Sequence, residues 1–467
     1  MALTQKLGNG PTMALARWVS SLGYADLPNR TKEVVRSALL DTVGCGVYGY
    51  ETPWTKAMLK WVRAGGAKGK SRAWGDSQPL LRAADAALVN GVASHAFELD
   101  DYHNAKLHPG AVVIPAVLAI AEEHNVTGEQ LVTAIAAGYE VMIRASLALN
   151  PSAARTRGWH LTGVCGPYGA AAACAVLLGM DAEPTAWALG LAGTQGAGLW
   201  AFNADGAMSK RLHAGKAAHA GVLAAELAAL GFTGPTQIFE FHDGGFLKAY
   251  SDASDVAPLT HELGKTWHLD AVSIKPYSCC GSTHAYIDAA LELRKRMGNA
   301  WDPARPVRVG MSKVVDLQCG FDYVPSTALN AQMSLRYVLA AALSDGQVLP
   351  QQFSDAKMHD PALGTLGAKL ELVPDPELDK LYPVHFAGWV AAQASSGGGD
   401  WMRVDILDPT GSTAAPIDAA ALTQKFRGIN PQLPVERIAA VALDIEHHCA
   451  RDLINLLAPA RSERSVA

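Results

Sequence analysis

Residues 95–112, HAFELDDYHNAKLHPGAV, concentrate titratable side chains within an apolar, alanine-rich region of the chain. The segment holds three histidines, one glutamate and the adjacent pair Asp100 and Asp101. Carboxylates and imidazoles held together against an apolar wall shift one another's pKa toward values suited to acid/base catalysis. The spacing also fits a metal site at His95, Asp100, Asp101 and His103, or a solvated loop without function. All three interpretations stay open at this point.

A second segment, residues 204–221, places cationic side chains at helical spacing. Lys210, His213 and Lys216 are three residues apart and share one side of a predicted helix near its start. Together with the helix N-terminus, this side is suited to hold an anion. The alternative is that Lys210, Arg211 and Lys216 only cover a solvent-facing surface.

Two further stretches carry residues of interest. In residues 273–291, Lys275 precedes a proline and a tight turn, and a helix follows. The adjacent Cys279 and Cys280 suggest either a nucleophile or a packing role, since neighbouring cysteines rarely bridge. His160 stands just before a glycine-punctuated helix and would, alone, be a satisfied core histidine.

The elements that must position these residues are mostly helical up to about residue 270. Thr127 and Gln130 are spaced as a capping box before an apolar stripe that stops ahead of Pro151. Several alanine- and glycine-rich segments allow helices to approach closely. Residues 87–99 are predicted as a helix, whose C-terminal end would lie next to the acidic pair in the opening segment.

From about residue 271 the pattern becomes mixed α and β. PVRVGMSKVVDLQC, LGAKLELVPD and WMRVDILDP alternate or look extended, and AQMSLRYVLAAALSDG is helical. SSGGGD, residues 395–400, is predicted as a turn between strands, and the tail from Ile417 onward returns to helix. The chain is therefore predicted to be mainly α, with a helical domain over 1–270, an α+β domain over 271–405 and a helical completion over 406–467.

The composition narrows the classes of function. The 467 residues carry 39 Lys+Arg against 44 Asp+Glu, a formal net charge of −5, without long runs of like charge. This predicts no nucleic-acid or membrane partner, so an anionic substrate must be bound by local cations. Seven cysteines without a CxxC pair, and a start without a secretory pattern, predict a reduced, cytoplasmic protein.

Taken together, these motifs resemble the MmgE/PrpD family, which includes 2-methylcitrate dehydratase, cis-aconitate decarboxylase and iminodisuccinate epimerase. The resemblance covers nearly the whole chain. It runs through LLDTVGCGVYG, NGVASHAFELDD, HPGAVVIPAVLA, GWHLTGVCGPYGAAAA, SKRLHAGKAAHAGVLAA, IKPYSCCGSTHAYIDA and AAALSDGQV. It implies a large all-helical domain formed by both chain ends, an inserted smaller α+β lid domain, a homodimer, and no cofactor. No metal is expected either, because cations rather than a cage of carboxylates are predicted to face the substrate.

The resemblance also implies site residues. The family's acidic residue, small polar residue and histidine along its D-x-D-D-T…HPS segment correspond to Glu98, Tyr102 and His108, and its acidic pair to Asp100 and Asp101. Its other histidine and its two lysines correspond to His160, Lys210 and Lys275. This chain departs from the family's pattern at four places. Glu98 replaces an aspartate, and Tyr102 stands where threonine is usual. The HPGA segment lacks the serine of the family's HPSGA, and Cys280 stands where the decarboxylase has a histidine.

The residues and the resemblance lead to one functional hypothesis. His108 is expected to move a proton, oriented by Asp100 or Asp101, because such chemistry beside a carboxylate needs an acid/base and cations. Lys275 and His160 complete the expected catalytic set, while Lys210, His213, Glu98, Tyr102 and Cys280 are expected to bind substrate. The predicted enzyme is a cofactor-independent lyase acting on a small di- or tricarboxylate, foremost a dehydratase. An isomerase, an epimerase or a decarboxylase is the alternative, followed by a metal-dependent hydrolase or a non-catalytic binder.

Overall fold

The computed structural model describes residues 9–76, 80–382, 384–393 and 401–457. The chain divides into two compact units. The first contains the residues up to Ala96, Asp100–Val272 and the residues from Asp418 onward, while the second contains Phe97–Leu99 and Ser273–Ile417. The predicted turn at 395–400 lies outside the described residues.

The described part of the first unit consists of helices joined by turns and loops, and the strands of the sheet all lie in the second unit. The helices of the first unit before residue 273 are α1 Pro11–Ser21, α2 Asn29–Tyr50, α3 Pro53–Ala64, α4 Ala83–Ser94, α5 Gly110–Glu123, α6 Gly128–Ala148, α7 Pro151–Thr156, α8 Leu161–Leu177, α9 Ala182–Gly193, α10 Ser209–Ala229 and α11 Phe246–Tyr250. The capping box predicted for α6 is confirmed, because Thr127 accepts from the Gln130 backbone and Gln130 accepts from the Thr127 backbone.

Small residues let the helices of this unit pack against one another with little separation. A Cβ added at Gly91 on α4 would lie 2.7 Å from the Cα of Gly215 on α10, and one at Gly215 would lie 2.4 Å from the Leu88 carbonyl oxygen. Neither position accepts a side chain, since real Cβ contacts are not this short. This close crossing fixes α4, which leads to His95, against α10, which carries Lys210.

The predicted helix over residues 87–99 is too long at its C-terminal end. Helix α4 ends at Ser94, and Glu98 has a φ of +54°, which is incompatible with a continuing right-handed helix. Asp100 and Asp101 therefore lie in a loop between α4 and α5 rather than at the end of a helix.

The second unit combines short helices with one sheet. Its helices are α12 His284–Met297, α13 Lys313–Cys319, α14 Ala328–Met333, α15 Leu335–Asp345, α16 Asp355–Met358, α17 Pro361–Lys369 and α18 Pro376–Leu381. Its strands are β1 Val307–Met311, β2 Leu370–Pro374, β3 Gly388–Gln393 and β4 Trp401–Ile406.

The sheet has the order β2-β1-β3-β4, with β1 and β2 parallel and the other two pairs antiparallel. Val309 on β1 pairs with Val390 on β3, which in turn pairs with Val404 on β4, and all three side chains enter the core of this unit. The strand prediction for PVRVGMSKVVDLQC is half right. The strand ends at Met311 because the Ser312 hydroxyl accepts the Val315 N–H and begins helix α13.

The C-terminal part of the chain returns to the first unit as α19 Ala419–Ile429, α20 Val435–Leu443 and α21 Ala450–Leu456. Within the described residues, α6 is long and apolar enough to cross a membrane. However, 94% of its most apolar window is buried inside the protein. That burial is what a core helix of a folded domain requires.

Candidate active site

His95, Asp100 and His108 form a compact trio in the loop between α4 and α5 of the first unit. The Asp100 carboxylate oxygen Oδ2 lies 2.8 Å from Nδ1 of His95 and 3.3 Å from Nδ1 of His108. Asp100 and His95 are fully buried, whereas the His108 side chain keeps 15% of its surface exposed. His108 is thus the member of the trio that remains accessible.

The neighbours of His108 determine which of its ring nitrogens carries the proton. Nδ1 lies 2.9 Å from the Asp101 carbonyl oxygen as well as 3.3 Å from the Asp100 carboxylate. Both of these atoms only accept hydrogen bonds when Asp100 is ionised, so Nδ1 must donate. The main chain is held as well, since the His108 N–H donates to the Thr162 hydroxyl at 3.2 Å. Nε2 is therefore the nitrogen available to accept or deliver a proton.

The protonation of the trio follows from its surroundings. Burial alone would raise the pKa of Asp100, but the charges of His95 and His108 and their hydrogen bonds outweigh it and hold that pKa well below its usual value. Burial lowers the pKa of His95 to about 4, against the opposing effect of Asp100. At neutral pH Asp100 is therefore an anion, and a neutral His95 donates from Nδ1 to it.

Asp101, the neighbour of Asp100, has a different role. Its Oδ1 accepts the Gly110 N–H at 2.9 Å at the start of α5, and its Oδ2 accepts from the Tyr139 hydroxyl at 2.7 Å. Burial, followed by the nearby Asp41 and Asp100 charges, raises the pKa of Asp101 to about 8 despite these hydrogen bonds. The Asp101 side chain thus anchors the loop, while Asp100 is the carboxylate that contacts His108.

A long-range ion pair lies close to these carboxylates. Lys425 on α19 bonds to Asp41 on α2, and both side chains are buried. Burial lowers the pKa of Lys425, but the Asp41 charge outweighs it and the net shift is upward. The C-terminal helices therefore supply a buried cation to a region that contains three carboxylates.

A second histidine pair lies beside the trio. Nδ1 of His160, at the start of α8, is 3.0 Å from Nδ1 of His213 on α10, and the His160 ring stacks on His95 at a centroid distance of 5.9 Å. Burial lowers the pKa of His160 well below its usual value and that of His213 to about 4. The positive charge of Lys210 also lowers the pKa of His160, and the charges of Lys216 and then Lys210 lower the pKa of His213. One neutral ring therefore donates to the other, next to a buried lysine.

The remaining predicted residues lie elsewhere. In the second unit, Lys275 donates to Glu98 at 3.2 Å from its carbonyl oxygen and 3.3 Å from its carboxylate, and both side chains are buried. Cys280 is half-buried in the same unit. Tyr102 is half-buried in the loop of the first unit. The opening sequence segment is thus divided, with Glu98 packed in one unit and Asp100 in the other.

The metal interpretation of the sequence requires revision. Within the described ranges, the ligand atoms of His95, Asp100 and His108 lie within 4.8 Å of one another and are suited in type to a divalent transition metal. His103 does not join them, because its Nδ1 accepts the Ala105 N–H at 3.0 Å, and Asp101 is engaged by Tyr139. Of the four residues in this alternative, His95 and Asp100 belong to the group, whereas Asp101 and His103 do not.

Comparison with known proteins identifies the relatives of this chain. The profile of the MmgE/PrpD N-terminal domain matches residues 13–259, and that of the C-terminal domain matches residues 277–449. A cis-aconitate decarboxylase-like protein of Aspergillus oryzae is 32% identical over 83% of this chain and 84% of its own length. The cis-aconitate decarboxylase of Aspergillus terreus is 32% identical over 83% of each chain, and that of Homo sapiens is 29% identical over 78% and 77%.

Three contributors to this region were missed from the sequence. His95 entered only the metal interpretation, although it donates to Asp100 and stacks on His160. Tyr139 and Lys425 are separated from the acidic loop by dozens to hundreds of residues. Tyr139 and Lys425 each interrupt an otherwise apolar helical stripe, and this was the only sign in the sequence that they have polar partners.

Proposed function

The chain belongs to the MmgE/PrpD family, and from this premise we propose that it is a lyase that removes a carboxylate from cis-aconitate or a close structural analogue. The single observation that carries the proposal is the pairing of the buried Asp100 carboxylate with the partly exposed His108, in which the carboxylate fixes the imidazole with Nδ1 as donor. The names of the relatives support decarboxylation better than the dehydration favoured by the sequence.

Decarboxylation of such a substrate requires one proton to be delivered to carbon. When the methylene-bound carboxylate leaves as carbon dioxide, the C–C bonding pair forms a new double bond to the central carbon. The original π pair moves to the outer vinyl carbon, which takes up the proton. The enzyme must therefore hold the carboxylates that remain and place an acid at that carbon.

We assign the proton to Nε2 of His108. Asp100 stabilises the imidazolium before transfer and keeps the ring oriented after it, as a carboxylate does for a catalytic histidine in other enzymes. The exposed edge of His108, next to the fully buried His95, supports this assignment. Asp101 positions the loop rather than the imidazole.

Lys210 is proposed to bind a substrate carboxylate, with the His160–His213 pair beside it. Because both rings are neutral at pH 7, each contributes hydrogen bonds rather than charge. The lysine is then the principal cation of this cluster, and a charge-assisted bond in a dry site is stronger than one in water. The proposed catalytic role of Lys275 and the proposed substrate-binding roles of Glu98, Tyr102 and Cys280 rest on the family resemblance alone.

A substrate screen by proton NMR tests the proposal. Purified protein is incubated with cis-aconitate, citrate, 2-methylcitrate or iminodisuccinate in deuterated buffer, with and without a chelator. We expect cis-aconitate to lose its vinyl resonance, release carbon dioxide and give a product with a terminal =CH2 group and one incorporated deuteron. Turnover of citrate or 2-methylcitrate without carbon dioxide release would favour the dehydratase. Activity lost on chelation and restored by a metal would favour the metal trio.

A further inference from the structure

A short 3-10 helix, Trp200–Ala204, lies against the His160–His213 pair in the first unit. The chain that leads into this helix is held there by its main chain, since the His160 N–H donates to the Gly198 carbonyl oxygen at 2.9 Å. A Cβ added at Gly198 would lie 3.1 Å from the His213 ring, which leaves little room for a side chain. The position of the short helix is therefore fixed relative to the two imidazoles.

Phe202 is the buried aromatic residue of this helix. Its ring lies 5.4 Å from the His160 ring and 6.0 Å from the His213 ring between centroids, and its plane is steeply inclined to both. The Nζ atom of Lys210 lies over the face of the same ring, 5.9 Å from its centroid, where a cation is attracted by the π electrons. One phenyl ring thus contacts all three groups of the cluster that contains Lys210.

Trp200 and Arg155 hold Phe202 in place. The Trp200 ring lies 4.8 Å from the Phe202 ring and 5.7 Å from the His160 ring between centroids. The guanidinium carbon of Arg155, on α7, lies 3.5 Å from the centroid of the Trp200 ring. Aromatic pairs and cation–π contacts at such distances stabilise a packed arrangement beyond the burial of apolar surface. This stack fixes the Phe202 ring beside the imidazole pair.

The Phe202 ring changes the medium in which Lys210 meets an anion. A phenyl ring has no hydrogen-bond donor or acceptor, and it fills space beside the lysine that water would otherwise occupy. The attraction between two unit charges is about fourfold stronger at an effective dielectric constant of about 20, near a protein, than at about 80 in water. Excluding water from this place therefore strengthens the contact between Lys210 and a carboxylate.

We propose that Phe202 is a positioning residue that excludes water from Lys210 and the imidazole pair and so strengthens the binding of a substrate carboxylate. The inference rests on the carboxylate-binding role proposed above for Lys210. Because Phe202 acts on the groups that bind the substrate, its contribution is expected in affinity rather than in the proton transfer assigned to His108. The other members of the stack, Trp200 and Arg155, act only by holding the phenyl ring.

The first experiment measures the access of water to His213 without any substrate. Full-length protein is kept in deuterated buffer, and exchange of the imidazole C2 hydrogen is followed by peptide mass spectrometry. We expect this exchange to be severalfold faster in Phe202→Ala than in wild type. Phe239→Ala is the control, because Phe239 is also buried but packs against Tyr168 and Phe246, so its loss should lower stability without faster exchange at His213. Unchanged exchange in Phe202→Ala, or equal acceleration in both variants, would overturn the proposal.

The second experiment titrates the same proteins calorimetrically with tricarballylate, a saturated tricarboxylate that lacks the double bond used in the reaction. We expect Phe202→Ala to raise the Kd at least about tenfold, because the attraction at Lys210 weakens when water enters. Phe202→Leu, which keeps an apolar side chain, should bind nearly as wild type does. Faster exchange at His213 with an unchanged Kd would refute the role in carboxylate binding. Wild-type protein that neither binds tricarballylate nor turns over cis-aconitate would instead refute the proposed function, and the exchange result would still decide whether Phe202 excludes water.

Discussion

Replacing Asp100 by asparagine removes the charge that orients His108 while it preserves the shape of the side chain. Asp100 is fully buried and accepts from Nδ1 of both His95 and His108, at 2.8 and 3.3 Å. A hydrogen bond to a charged group is worth about 1.5–3 kcal/mol. At about 1.36 kcal/mol per factor of ten in rate, its loss from the transition state lowers kcat roughly ten- to 150-fold.

Initial rates with cis-aconitate give kcat and KM separately for Asp100→Asn. We expect kcat to fall and KM to change by less than about threefold, because Asp100 acts on the imidazole rather than on the substrate. The matched control is Asp181→Asn, since Asp181 is exposed and its side chain makes no capping bond to α9. A variant that folds and keeps kcat within twofold of wild type would refute the reasoning.

The pH dependence of unfolding supplies a second readout for Asp100→Asn. The folded-state pKa of Asp100 lies below its usual 3.8, so its carboxylate stabilises the fold above that pH, and the contribution is lost as the pH falls further. Thermal melts should therefore show the difference between wild type and Asp100→Asn shrinking in strong acid. A difference that does not depend on pH would mean that the Asp100 charge is not stabilised in the fold.

Three other substitutions test separate parts of the site. Lys210→Ala should lower kcat/KM roughly ten- to 150-fold through a lost charge-assisted contact of about 1.5–3 kcal/mol. Lys60→Ala, at an exposed position on α3, should not, and equal effects would refute a binding role for Lys210. Lys275→Ala should destabilise the fold by about 3–5 kcal/mol in chemical denaturation because it breaks the buried ion pair between Lys275 and Glu98. Lys275→Met combined with Glu98→Gln should recover much of that loss, because it removes both charges of the pair. Burial raises the pKa of Asp101 from 3.8 to about 8, so the stability that this side chain contributes falls as the pH rises between these values. In thermal melts at pH 4, 6 and 8, Asp101→Asn should therefore show a smaller fall of stability with pH than wild type. An equal fall in both proteins would contradict the raised pKa of Asp101.

Local signals in the sequence predicted several elements correctly. The capping box at Thr127 and Gln130 marked the start of α6, because both partners are within one turn of each other. The same reasoning failed at Ser312, where an apolar alternation continued past the hydroxyl that begins α13. Periodicity over a few residues did not distinguish a strand from a strand followed by a short helix.

The candidate site required information that no short segment contains. Sequence reasoning grouped Asp100 with Asp101 and left the orienting residue open, but successive side chains in a loop point in different directions. Only the fold brings Tyr139 to Asp101 and Lys425 to Asp41. The first contact joins residues 38 positions apart and the second joins residues 384 positions apart. Each opposes the effect of burial, which raises the pKa of both Asp101 and Asp41. The dehydratase preference came from the family's range of activities rather than from a residue in this chain.

The central claim is that His108 delivers the proton, and single-turnover decarboxylation by His108→Gln tests it most directly. Glutamine keeps a donor and an acceptor but cannot exchange a proton, so the rate of carbon dioxide release from bound cis-aconitate should fall about 10²- to 10⁴-fold while the dissociation constant stays within about threefold. His124→Gln, at an exposed position at the end of α5, serves as the control and should match wild type. A His108→Gln protein that releases carbon dioxide at a near-normal rate but binds cis-aconitate at least tenfold more weakly would contradict the claim and make His108 a carboxylate ligand.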